Sequence, residues 1–146
     1  MQIPQLKGLV LIGGHSSRMG FDKSRIEYHG MPQVDYMVGL LSHNVKTYIS
    51  GRIDQVAGSD HSFIEDVVTD SGPMNGVLSA FQHDQESAWL ITACDMPLIS
   101  KKTIHQLITA RDPEKMATCF YNVTSGLPEP LLSIWEPAAF LFLQND

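Results

Sequence analysis

Apolar positions along this chain fall into two alternating kinds of pattern. Residues 8–12 form a continuous apolar run that stops at Gly13-Gly14, as a buried strand would. After a turn at residues 29–32, Val34, Met37, Val38, Leu41 and Val45 recur every three or four positions and predict an amphipathic helix, with Pro32 suited to its start and Asp35 to the positive end of its dipole. Residues 46–50 alternate, are rich in β-formers and end at Gly51, which predicts a second strand; residues 63–66 predict a weaker third. Val77, Leu78, Ala80 and Phe81 suit a buried helix face, residues 88–93 a central strand, and Ile104, Leu107 and Ile108 a further helix capped by Ser100. Residues 115–120 and 131–135 read as two more strands joined by a turn-rich stretch, and Pro128 and Pro130 suit a sheet edge better than its centre. An apolar helix over residues 137–143 closes the chain, a short extended piece is expected at 24–28, and a short helix can form at 54–57. Strand and helix alternate throughout, which predicts an α/β fold: one three-layer α/β/α domain over residues 1–146 with a mainly parallel sheet.

Composition narrows what such a domain can do. At 146 residues the chain supports a single core. Ten basic against sixteen acidic residues give a formal charge of −6, which excludes a broad nucleic-acid or membrane surface, so any anion must be bound locally. No apolar run approaches the roughly 20 residues that span a bilayer, and residues 1–7 lack a signal-peptide core. Cys94 and Cys119 are too few and too unpatterned for a disulfide framework or a zinc site; both are expected to behave as small buried residues in a reducing cytoplasm. The six histidines are scattered without metal-ligand spacing, and His15 reads as an ordinary loop residue.

The candidate chemistry starts where the first strand stops. Gly13 and Gly14 let the backbone approach a ligand closely, and Arg18, Gly20 and Lys23 follow, so main-chain N–H groups and two cations converge on one anion, naturally a polyphosphate. A turn with solvated Arg18 and Lys23 remains the alternative. Neither G-x-G-x-x-G nor G-x-x-x-x-G-K-[ST] is present, so the dinucleotide-binding and P-loop templates are unsupported. Gly72, Pro73 and Gly76 sit at a helix entrance that can accept an anion or a base edge, although an unliganded junction has the same composition. Asp95 follows a strand at the edge where parallel sheets place ligands, and with Ser100 available as the helix cap, its carboxylate is left for a metal–nucleotide complex.

Taken together, Leu11-Ile12-Gly13-Gly14, Ser17-Arg18-Met19-Gly20 and Asp22-Lys23 resemble the signature loop of the molybdenum cofactor guanylyltransferases, nucleotidyltransferases with a Rossmann-like domain. The resemblance continues in order through Ile64-Glu65-Asp66, Ser71-Gly72-Pro73-Met74-Asn75-Gly76, Ala93-Cys94-Asp95-Met96-Pro97 and Glu129-Pro130-Leu131. It implies transfer of GMP from GTP to a molybdopterin cofactor, with release of pyrophosphate. It also implies that Leu11, Ile12, Gly13 and Gly14 cradle the nucleotide, that Lys23 and Arg18 neutralise its phosphates, that Asp66 and the segment holding Gly72, Pro73 and Gly76 contact it, and that Asp95 holds Mg²⁺. Transient contact with cofactor-delivery proteins is expected on the same ground. The related cytidylyltransferases carry Ala-Ala-Gly where this chain has Ile12-Gly13-Gly14, which favours guanine; the family's polar residue at the end of the second strand falls near Ile49, with Ser50 beside it. A distant nucleotidyltransferase or a noncatalytic nucleotide-binding domain are the other readings. Members of the family run several dozen residues further, so a missing C-terminal portion is expected.

Overall fold

The continuous apolar run after Gln5 becomes β1 (Leu6–Leu11), a strand with neighbours on both sides and no solvated face. The computed structural model describes residues 3–12, 32–51, 61–65, 74–94, 99–122 and 127–140, without the side chains of 74, 75, 121, 122 and 127–131. Around β1 stand β2 (Lys46–Gly51), β3 (Phe63–Glu65), β4 (Ala88–Ala93), β5 (Ala117–Asn122) and β6 (Leu127–Trp135). The sheet order is β3-β2-β1-β4-β6-β5. The first four strands are mutually parallel, while β6 runs antiparallel to both β4 and β5.

Among the described residues, helices α1 (Gln33–Ser42), α2 (Met74–His83) and α3 (Lys101–Ala110) cover the two faces. Alternation along the strands sorts the core accordingly. Val10, Ile12, Ile49, Leu90, Cys94 and Ile134 pack with Met37 and Leu41 of α1 and Ile104 and Leu107 of α3 on the first face. Leu9, Tyr48, Ile64, Trp89 and Ile91 pack with Val77 and Phe81 of α2 and with Phe140 on the second. This is the predicted three-layer α/β arrangement.

Several sequence expectations shift in detail. Helix α1 ends at Ser42, and Val45 lies beyond it; its amide bonds the Leu41 carbonyl at 3.0 Å, and its side chain lies over Gly8. Cys119 is exposed, not buried, because it sits on the outermost strand β5 opposite Ser133. Strand β6 lies between two neighbours, yet Pro128 and Pro130 are tolerated: β4 pairs only with Leu132 to Trp135, so the first half of β6 is bonded on the β5 side alone. Ser100 caps α3 as expected, accepting from the Thr103 amide at 3.4 Å. Near the end of the chain residues 138–140 are helical. The pieces expected at 24–28 and 54–57, the rest of 137–143 and His15 lie outside the described residues.

Candidate functional site

Parallel pairing brings the ends of four strands into one row. Ala93 of β4 stands opposite Leu11 of β1, Leu11 opposite Ser50 of β2, and Ser50 opposite Ile64 of β3. The row is continued by main-chain bonds: the Cys94 amide donates to the Leu11 carbonyl and the Ile12 amide to the Ser50 carbonyl, both at 2.9 Å. Gly13, Asp66 and Asp95 each come two positions after a member of this row. With strands about 4.8 Å apart, the chain leaves the sheet toward Gly13 and toward Asp95 from adjacent points, and toward Asp66 from two strands away.

The same row marks where the winding of the sheet reverses. From β1 the chain moves outward through α1 to β2 and β3, then returns across the opposite face through α2 to β4, on the other side of β1. The carboxyl ends of β1 and β4 therefore flank the crevice in which open α/β sheets bind their ligands.

Helix starts converge on this edge. Leu41 and Val45 lie over Gly8, early in β1, whereas the Tyr36 hydroxyl donates to the Ile99 carbonyl beyond β4, so α1 begins at the carboxyl edge and runs down the first face. On the second face, a Cβ at Gly76 would fall 2.2 Å from Leu11 Cδ2 and 3.1 Å from Ser50 Oγ, so glycine lets α2 start this close to the ends of β1 and β2 without displacing either side chain. Helix α3, capped by Ser100, also starts after β4. The positive ends of three helix dipoles thus face one edge, which favours an anionic ligand there.

Of the residues the sequence singled out, Leu11, Ile12 and Gly76 lie at this edge. Leu11 is half-buried and Ile12 buried, so their side chains serve the core, while the Leu11 carbonyl and the Ile12 amide are bonded within the sheet. Gly13, Gly14, Arg18, Lys23, Asp66, Gly72, Pro73 and Asp95 lie outside the described residues. Ile49 points into the first-face core, while buried Ser50 turns to the second face beside Gly76. No cluster of three metal-ligating side chains occurs among the described residues. Gln33, to which the sequence assigned no role, lies fully buried in the first turn of α1, and neither its Oε1 nor its Nε2 has a partner among the described residues. Sequence offers no signal for it, since a glutamine after Pro32 reads as a solvated helix start.

A family model described as MobA-like NTP transferase domain matches residues 8–144, nearly the whole chain. The chain belongs to this family. Among MobA-like relatives, the molybdenum cofactor biosynthesis bifunctional protein of Synechocystis sp. is 37% identical over 138 residues, covering 92% of this chain and 40% of that protein. The molybdenum cofactor guanylyltransferase of Xanthomonas euvesicatoria is 36% identical over 104 residues, covering 69% of this chain and 52% of that one. The chain thus spans about half the length of these relatives or less. The crystal structure of molybdopterin-guanine dinucleotide biosynthesis protein A from Archaeoglobus fulgidus superposes with a TM-score of 0.75 at 23% identity, covering 95% of this chain and 71% of that one. The MobA-like chain therefore has the α/β nucleotidyltransferase fold. Among its described residues no helix is long and apolar enough to cross a membrane.

Proposed function

We propose that this chain transfers GMP from GTP to the molybdopterin cofactor, giving the guanine dinucleotide form and pyrophosphate. The observation that supports it most is the row Ala93, Leu11, Ser50 and Ile64, from which the segments holding Asp95, Gly13 to Lys23, and Asp66 all depart. A phosphate oxygen of the pterin attacks the α-phosphorus of GTP, a new P–O bond forms, and the bond to the β-phosphate oxygen breaks. Because the nucleophile is already an anion, the protein's work is positioning and charge neutralisation.

In this reading the backbone of Leu11, Ile12, Gly13 and Gly14 cradles the nucleotide, and Lys23 and Arg18 neutralise its phosphates as pyrophosphate leaves. Asp66, Gly72, Pro73 and Gly76 border the nucleoside. The Asp95 carboxylate, with phosphate oxygens, forms the hard oxygen set suited to Mg²⁺, which supplies further charge neutralisation when bound. The setting is the cytoplasm, with transient docking of cofactor-delivery proteins.

Parallel turnover with GTP and CTP, each with Mg²⁺ and molybdopterin, tests the assignment. Preference for GTP is expected; preference for CTP would make the chain a cytidylyltransferase, and no turnover with either would leave a binding domain. Lys23→Ala should lower kcat/KM for GTP by about a hundredfold with circular dichroism unchanged, the scale of one lost charge-stabilising donor. Asp95→Asn should abolish most Mg²⁺-dependent turnover, and a fully active variant would remove Asp95 from the metal role.

A further inference from the structure

Gln33 is the one buried side chain among the described residues whose polar atoms have no hydrogen-bond partner, and it is fully excluded from solvent. A carboxamide of this kind is costly to bury unless something pairs with both ends of it. Its position in the fold says what could. Gln33 shares the sheet-facing side of α1 with Met37, Leu40 and Leu41, all buried. Leu41 Cδ1 lies over Gly8. From Leu41 back to Gln33 is about 12 Å of helix at 1.5 Å per residue, and from Gly8 to Ile12 about 13 Å of strand, so Gln33 stands level with Ile12. Tyr36, in the same turn of the helix, bonds the Ile99 carbonyl just beyond β4. Helix α1 packs chiefly on β1 and β2, so the amide lies at the carboxyl end of β1, on the face to which Ile12 and Cys94 turn.

The chemistry of the group narrows the ligand. Oε1 and Nε2 lie side by side in one plane, one accepting and the other donating. A phosphate, which only accepts, leaves Oε1 unsatisfied, and an apolar group leaves both. A cyclic amide with N–H and C=O adjacent satisfies the pair at once. Helix α1 adds no competing side-chain cap, since Pro32 occupies that position, and Asp35 of the same turn is engaged by His61 at 2.7 Å.

We propose that the Gln33 carboxamide pairs with the N–H and C=O edge of a 2-amino-4-oxopyrimidine ring bound at the carboxyl end of β1. That ring is common to guanine and to a pterin, so the site reads one of the two substrates of the proposed reaction, and the inference rests on that reading for its ligands. Gln33 is then a specificity-determining residue, selecting ring identity while the charged residues bind phosphate.

The test is Gln33→Leu, with Gln33→Met as a second, unbranched replacement should the first fold poorly. Steady-state kinetics varying GTP and molybdopterin separately should show the KM for one of them raised about tenfold, the loss expected for a removed pair of neutral hydrogen bonds, with the other KM and kcat unchanged. A raised KM for GTP assigns the ring to guanine, and a raised KM for molybdopterin assigns it to the pterin. Calorimetric binding of guanosine and of free pterin should weaken in parallel with the affected substrate, and needs no turnover. Unchanged values for both ligands, or equal losses in both KM values and kcat, would overturn the inference. A wild-type protein that turns over neither nucleotide but still binds guanosine or pterin in a Gln33-dependent way would overturn the reaction and keep the site.

Discussion

Asp84, just past the end of α2, shows how much one side chain can hold in this fold. Its carboxylate accepts from Lys7 Nζ, from the Ser87 hydroxyl at 2.7 Å and from the Glu86 amide at 3.0 Å, and its carbonyl accepts from Trp89 Nε1 at 3.1 Å. Burial works to raise its pKa, but the bonds from Lys7, Ser87 and Glu86 and the charge of Lys7 outweigh that and hold it well below the usual carboxylate range. A carboxyl whose folded pKa is depressed stabilises the protein above its unfolded value, about 3.9, and that stabilisation fades as pH falls from there toward the folded value. Asp84→Asn should therefore cost about 1.5–3 kcal/mol at pH 7, the range for hydrogen bonds to a charged group. The gap from wild type should narrow below pH 4, as urea denaturation between pH 7 and pH 2 would show. None of this network could be read from the sequence, where Asp84 is one more acid after a helix.

Between elements, the contact that sets the site is α2 against the ends of β1 and β2. An alanine at position 76 would gain about 1 kcal/mol of helix propensity. Its Cβ would also collide with Leu11 Cδ2 and press on Ser50 Oγ, and such overpacking typically costs about 1–3 kcal/mol. Leu11 Cδ2 is the far end of a side chain that is only half-buried, so rotation relieves part of the clash, and the net expectation for Gly76→Ala is a loss of about 1 kcal/mol. A double-mutant cycle with Leu11→Ala should recover at least about 0.5 kcal/mol of it, whereas strict additivity would mean the two positions do not interact. The sequence marked Gly76 as part of a nucleotide-binding turn, and the structure gives it a packing duty at the same place.

Across the whole molecule, Arg111 ties together parts of the chain that are remote in sequence. Its Nε and Nη2 donate to the two carboxylate oxygens of Glu136, each at 2.8 Å, and Nη2 also reaches the Pro4 carbonyl at 2.9 Å. The Glu136 amide donates to the Met116 carbonyl. The end of α3, the approach to β1 and the end of β6 are thereby joined at the edge of the sheet opposite the candidate site. Glu136 is 1% exposed, so Arg111→Ala would strand a buried charge and should cost about 3–5 kcal/mol, while replacing both partners by apolar residues should cost much less. Thermal unfolding of the single and double variants separates these outcomes.

The sequence by itself determined the order of strands and helices, the three layers and the family likeness, because apolar period and loop motifs are local properties of the chain. It also marked Gly13, Lys23 and Asp95 as candidate site residues, through the glycine loop and the aspartate that follow two strands, and Asp66 through the family likeness. Only the tertiary structure decided that β6 reverses direction inside the sheet, that Cys119 is exposed on the outermost strand, and that Leu11, Ser50, Ile64 and Ala93 share one row. The buried amide of Gln33 likewise became visible only in three dimensions. Each of these depends on which segments become neighbours, and neighbours far apart in sequence are chosen by the packing of the whole sheet.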